Sequence, residues 1–440
     1  MAIDSHDLDS ITDQLKNVYG EGLQNQFDNA PITYNQFPMT TRSIGGKGYV
    51  FGMRYEHAQG IGSRPEGGKL PDPLVGKFDQ GTIVPKYHYG SINLTGPMIS
   101  AARTNVEAFV NGLQDSMDDI YSGVLLDMNR QCHGDGYGLI ATLSEASDAV
   151  TTSGSTTWTV TADNDSGMMY ARDGMLVDFY DGTAVDQSSV ASRISTVDYA
   201  AKTCEMEPNA SDYITNHPNS TLAGYTITTD QVPDDSYMVK MGTRDAVFAT
   251  TDDSYEIAGL NALFDDGTLV ATFEGITVSS FPKWQANMLQ NSSVNRELNL
   301  DLLIQAVDLT RRYRLGGQIK MRMGLGQRRK YANLLLPDVR FNPGVLKGGY
   351  ETLSFSAGDG SVEMIIDPDT QPNRIYIHPE GVIKKYEQEP LGWLARDQKM
   401  HQTSGYDKWD MALMLYTNLG VEQRNCLTLV DDLVEPNIFS

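Results

Sequence analysis

The chain is short of cysteine, of long apolar runs and of basic charge. Cys132, Cys204 and Cys426 are odd in number and far apart, so no disulfide framework is implied and folding in a reducing cytoplasm is expected. No apolar stretch approaches the roughly 18 residues that a membrane span needs. The opening "MAIDSHDLDSITDQLKNVYG" is acidic and lacks the basic start and apolar middle of a secretory signal. Only 34 basic residues stand against 57 acidic ones, and the net charge of −23 works against nucleic acid as a general partner. Catalytic signatures are missing as well: there is no H-E-x-x-H, C-x-x-C, G-x-S-x-G or Walker lysine. The seven histidines are scattered singly, so no catalytic group, metal or cofactor is expected.

What is present is apolar patterning in quantity. With 40% hydrophobic residues over 440 positions, the chain can bury several cores. Residues 1 to 44 read as an arm. In "LDSITDQLKNVYGEGL" Leu8, Ile11, Leu15 and Val18 recur at helical spacing, and Pro31 and Pro38 then enforce an extended path. Residues 45 to 90 hold eleven glycines and four prolines around "YVFGMRY" and "GTIVPKYHYG", two strand patterns that predict a long hairpin with a loose tip. Six basic residues face four acids there, so this limb is locally positive in a negative chain. It holds too few large apolar residues to build its own core.

The clearest element lies at 96 to 130. Ile99, Ala102, Val106, Phe109, Leu113, Met117, Ile120, Val124 and Met128 step by threes and fours, predicting a single helix of about 50 Å with Thr95 as N-cap. "HGDGYG" at 133 to 138 follows that helix. A phosphate-cradling glycine loop needs a strand before it and a helix after it, so these glycines are expected to stop the helix, with Gly134 as a left-handed C-cap.

Residues 150 to 240 change to short strands, "STTWTVTADN", "GMLVDFYD", "SRISTVDYAAKTCEME" and "STLAGYTITT", whose spacing fits a small β-barrel or sandwich. From 241 to 372 helix and strand mix. "LNLDLLIQAVDLTRRYRLGG" predicts a helix with Leu300, Leu303 or Ile304, and Val307 on one face, and "GQRRKYANLLLPD" predicts another. Residues 311 to 330 hold eight basic side chains and no acids; capping and pairing with acidic neighbours is the favoured reading over nucleic-acid binding. Residues 373 to 440 close the chain with strands.

The order of arm, glycine-rich hairpin, beam helix, mixed unit and closing strands resembles the major capsid proteins of tailed bacteriophages, the Hong Kong 97-like fold. "SINLTGPMISAARTNVEAFVNGLQDSMDDIYSGVLLDMNRQCHGDGYG" at 91 to 138 carries the likeness most, with "IYIHPEGVIKKYEQEPLGWL" and "YTNLGVEQRNCLTLVDDL" near the end. The resemblance implies an α+β chain with an N-terminal arm at 1–44 and an extended loop at 45–90. A peripheral domain would be built from 91–149 and 373–440, and an axial domain from 241–372. Residues 150–240 would be an inserted all-β domain.

The resemblance also implies a virion component that assembles with itself into hexamers and pentamers in the host cytoplasm. Its partners would be a portal protein, a separate scaffold, a decoration or cement protein, and packaged DNA held without specificity; no membrane is involved. No cleaved N-terminal scaffolding domain is expected, because the arm begins almost at Met1. Candidate subunit contacts are Arg54, Arg64, Lys69 and Lys77 on the limb and Asp115, Asp118 and Asp119 on a neighbour's helix, with Arg311, Arg312 and Arg314 in the second basic patch. Two alternatives stand beside this reading. One is an encapsulin-type compartment shell. The other is a β-rich carbohydrate-binding or adhesive protein, although Trp158 is the only tryptophan in 150–240.

Overall fold

A computed structural model describes residues 32–40, 46–97, 106–144, 150–152, 155–163, 166–180, 192–207, 236–243, 255–314, 317–335, 354–356, 361–394, 401–402 and 405–435. The amphipathic pattern at 8 to 18 and the strand expected at "STLAGYTITT" lie outside these residues. From the arm, a short helix at Ile32–Gln36 is followed by a chain running parallel to Lys385, with Lys385 N donating to Pro38 O at 2.9 Å and Thr40 N to Lys385 O at 2.9 Å.

The hairpin pairs Tyr49–Arg54 antiparallel with Phe78–Ile83, Tyr49 opposite Ile83 and Arg54 opposite Phe78. Alternation sorts its faces: Phe51, Met53 and Ile83 are buried, while Val50 and Phe78 face outward. The second strand is shorter than "GTIVPKYHYG" suggested. Pro85 supplies no N–H, and the chain breaks at Val84–Pro85 before a new strand, Lys86–Thr95, that joins another sheet.

That sheet is centred on Lys408–Val421. Lys86–Thr95 runs along one side of it, and Ile383–Trp393 and His401–Gln402 pair on the other. The long helix, described over Val106–His133, lies across it; 28 residues span about 42 Å. Met117 and Ile120 pack there on Ile92, Leu94 and Met411. The helix ends at His133, not 130, and Gly134 stays outside the left-handed region. Gly134 N donates to Gln131 O at 3.1 Å, Asp135 Oδ1 accepts from Tyr137 N at 2.8 Å, and the positive φ angles fall on Gly136 (+84°) and Gly138 (+78°). A tightened last turn, followed by an Asp-centred turn, thus displaces the expected cap.

A six-stranded mixed sheet runs in the order 287–289, 428–430, 375–379, 319–323, 361–366, 354–356. It draws Ile375–Pro379 and Thr428–Val430 across the boundary expected at 372/373, because both strands share a core with the helix Leu300–Tyr313. On that helix Leu303 and Val307 are buried and Ile304 is exposed, and the Asn299 side chain caps its start by accepting from Leu302 N at 2.7 Å. The closing segment from 408 is therefore two strands in two sheets, separated by a one-turn 3-10 helix at Arg424–Cys426.

The third unit is a closed β-structure. Strands 139–143, 236–240, 176–180, 192–198, 203–207 and 155–161 pair in that order. Ser144 N then donates to Thr161 O at 3.0 Å and Asp163 N to Thr142 O at 2.9 Å, joining the last strand to the first. Closure joins the ends of this run, and the short strand Val150–Thr152, paired with Ser155–Thr157, stays at the edge. It also brings in Leu139–Leu143, so this unit starts about a turn past the long helix and not at 150. "SRISTVDYAAKTCEME" is a hairpin within it, turning at Tyr199–Lys202 with Lys202 at φ 57°.

Candidate assembly interface

Residues 57–76, the limb beyond the hairpin, contain no helix or strand. Its base is fixed. Tyr55 N and Glu56 N donate to Lys77 O at 3.2 and 3.4 Å, Lys77 N returns to Glu56 O at 3.2 Å, and Lys283 Nζ donates to Tyr55 O at 3.0 Å. The Tyr55 ring meets Phe281 edge-on at 4.9 Å. Past this point the described residues stop covering the limb: Ile61 is 87% exposed, Leu70 79% and Val75 85%. Apolar side chains held out on an extended segment have the character of a contact surface.

The limb cations are satisfied locally. Arg54 lies 4.7 Å over the Phe78 ring, and Arg64 donates to Lys69 O and Ser63 O at 3.1 and 3.2 Å. Lys69 pairs with Asp72 at 2.9 Å, and Lys77 pairs with Glu56 at 3.0 Å, a hydrogen bond that raises the Lys77 pKa. Asp118 and Asp119 are exposed on the long helix, and the Asp115 side chain lies outside the described residues. Among the described residues no limb cation reaches Asp118 or Asp119 within one chain.

The second basic patch is divided by the fold. Arg312 is exposed, 5.6 Å from the Tyr313 ring; Arg314 is exposed past the helix end and Arg311 is half-buried. Lys320 pairs with Glu380 at 3.0 Å and Lys330 with Glu297 at 2.6 Å. Arg322 turns inward and is fully buried.

Two buried polar clusters hold the frame behind the limb. In the first, Asn129 Oδ1 accepts from Thr33 N and Tyr34 N at 3.0 and 3.1 Å, while its Nδ2 donates to Asp367 and Asp369. His133 Nε2 lies 3.2 Å from Asp367 Oδ2, which also accepts from Thr33 N at 3.1 Å. Burial opposes ionisation of Asp367, but the His133 bond and the donors around it hold its carboxyl well below the usual range. Arg322 donates to Thr33 Oγ1 and Gln36 Oε1 at 3.1 and 3.2 Å and lies 4.5 Å over the Phe37 ring. Burial, and then the Arg322 charge, push its neighbour His378 down to about 3.

In the second cluster Asp127 Oδ1 takes Arg130 Nε at 3.0 Å and Lys240 Nζ at 2.9 Å, and Arg130 also binds Glu256. Burial works against the Asp127 charge; Arg130 and Lys240 outweigh it and hold the carboxyl far below its ordinary value. Sequence reading missed both clusters. The signal available was the break in apolar periodicity at "DMNRQCH", where polar residues occupy the inward face.

None of this is catalytic geometry. Among the described residues no cluster of His, Cys, Asp and Glu could hold a metal, and no helix is long and apolar enough to cross a membrane. The three cysteines are buried, and burial raises the thiol pKa of Cys204 to about 12 and of Cys426 to about 11.

No family model matches the chain, and no curated protein matches it by sequence. Among solved structures it is similar to the chain of the cyanophage A-1(L) capsid asymmetric unit, with 12% identity and a TM-score of 0.54 over 96% of this chain and 98% of that one. The capsid of Myoviridae phage XM1 is a weaker likeness, 8% identical with a TM-score of 0.46 over 96% of this chain and 98% of that one. The chain thus has the α+β capsid fold that the sequence resemblance implied.

Proposed function

We propose that this chain is the major capsid protein of a tailed double-stranded DNA bacteriophage, a shell subunit without catalysis. The observation that carries the reading is the limb: a segment anchored at Tyr55 and Lys77 that holds Ile61, Leu70 and Val75 exposed, with no described residue of its own chain covering them. The capsid fold supports it. A limb that reaches from one subunit to the next makes a heterologous contact, and such contacts close into rings. Hexamers and pentamers of an icosahedral shell follow from that closure.

In this reading 1–44 is the arm, 45–90 the extended loop, 91–149 with 373–440 the peripheral domain and 241–372 the axial domain. Residues 150–240, together with Leu139–Leu143, are the inserted β domain. The limb's Arg54, Arg64, Lys69 and Lys77 exchange their local partners for the neighbour's Asp115, Asp118 and Asp119; Arg311, Arg312 and Arg314 serve a second contact. Exchange of exposed pairs costs little, which suits reversible assembly. A portal protein, a separate scaffold and a cement protein complete the particle, and DNA is held by non-specific contact. A photo-crosslinking residue at Leu70 tests the limb's role: it should capture another copy, at the long helix or the sheet beside it. Capture only within the same chain would remove the reading's main support.

A further inference from the structure

The β-barrel of residues 139–240 has its own core. Ile140, Leu143, Val160, Val177, Phe179 and Met238 pack among themselves, in a cluster separate from those under the long helix and in the mixed sheet. No apolar layer joins barrel to body among the described residues. Small polar junctions of this kind permit relative motion, whereas large apolar ones suppress it.

The neck is built to bend. The chain enters the barrel at Gly138, φ +78°, and leaves it at Gly242, φ +73°. Lys240 N donates to Gly138 O at 3.3 Å, so the two glycines lie at one level. A side chain at Gly138 would meet Thr243 Oγ1 at 2.4 Å, and both φ angles favour glycine. Just inside the barrel the pairing of 236–240 with 139–143 slips by a residue at Met238/Val239. Asp178 Oδ2 accepts from Gly242 N at 3.1 Å, and Thr243 N and Oγ1 donate to Lys240 O at 3.2 and 2.7 Å, so Gly242 moves with the barrel, and the bond from Tyr255 N to Thr243 O at 2.9 Å leads on to the body.

Among the described residues, two polar contacts tie the barrel to the body. Lys240 Nζ binds Asp127 on the long helix at 2.9 Å, and Tyr170 Oη donates to Asp369 O at 2.9 Å. Both lead to one stretch of helix, since Asp369 also accepts from Asn129. Clefts of 460 and 340 Å³ are both lined by Lys240 and Asp127, so solvent reaches the pair from the Lys240 side.

We propose that the barrel is a hinged module that pivots about Gly138 and Gly242 and is latched to the body through Lys240–Asp127, on the long helix, and Tyr170–Asp369, in the loop beside it. The device belongs to the single chain and stands whether or not copies assemble. In an assembly it would let one fold present its barrel at different angles to non-equivalent neighbours.

Double electron–electron resonance tests it, with spin labels at Ala200→Cys on the barrel and Gln305→Cys on the body, both exposed. The native cysteines are buried, and labelled chain is diluted into unlabelled chain so that only distances within one molecule are read. Wild type at about 50 mM salt should give one narrow distance. Lys240→Met with Tyr170→Phe should raise a second distance by about tenfold, the combined worth of a half-exposed ion pair and a hydrogen bond. Lys240→Arg should keep the narrow distribution. An unchanged distribution in the folded double variant overturns the proposal. Should that variant fail to fold, Tyr170→Phe alone decides by comparison of low and 1 M salt, since it removes one oxygen: broadening supports the hinge and its absence refutes it.

Discussion

Arg322 Nη1 donates to Thr33 Oγ1 at 3.1 Å, joining residues 289 positions apart in the chain. Through it the arm's short helix is fixed to the centre of the mixed sheet, with Gln36, His378 and the Phe37 ring as further partners of the same guanidinium. Removing it leaves Thr33 Oγ1 and His378 Nε2 short of a donor in a dry interior. Arg322→Ala is therefore expected to cost about 3 kcal/mol in urea unfolding, and Arg322→Met less, because its volume is largely kept. A loss below about 1 kcal/mol for the alanine variant would show that the arm is held by other contacts.

Deletion of residues 57–76 separates folding from assembly. The cut falls beyond the Tyr55–Lys77 closure and removes side chains that the rest of the chain does not bury. Unfolding stability should change by about 1 kcal/mol or less, while size-exclusion chromatography should show loss of every species above the single chain. Assembly that survives the deletion would place the contact elsewhere.

Glu274 gives the chain a pH dependence with a definite sign. It stands in a tight turn at φ 52°, its O accepts from Thr82 N at 2.8 Å, and its Oε1 accepts from Val421 N at 2.9 Å. It thereby links the hairpin base to the closing strand. Arg424 and Glu422 are the charged groups that face it; burial dominates and raises its pKa from 4.5 to about 8. Between those values the folded chain keeps a proton that the unfolded chain has lost, so stability falls as pH rises, at up to about 1.4 kcal/mol per pH unit. Glu274→Gln should flatten the urea midpoint across pH 5 to 8. Equal slopes in wild type and variant would contradict the assignment.

Elements whose apolar residues repeat locally were legible in the sequence. The beam helix, the hairpin strands and the Leu300–Tyr313 helix all follow from spacing, and Leu303 was among the faces named. What sequence did not show depends on distant partners. Closure of the barrel rests on Thr142 meeting Asp163 and Ser144 meeting Thr161, and a strand at 139–143 carries no mark of which sheet it will join. Arg322 reads as one more cation in a basic run, and the alternation of "IKMRM" sets it on the face opposite Ile319, Met321 and Met323; it is buried there because Thr33 and His378 cover that face, which spacing does not show. Of the candidate contacts, the fold shows the exposure of Asp118, Asp119, Arg312 and Arg314 and the local partners of the limb cations, and no sequence pattern names what they would meet.

The mass and shape of the purified chain, by light scattering and negative-stain microscopy, test the central claim most directly. Rings of five or six copies or closed shells are predicted, formed by the chain alone or once a scaffold is supplied. A chain that remains single when crowded and given scaffold would contradict it.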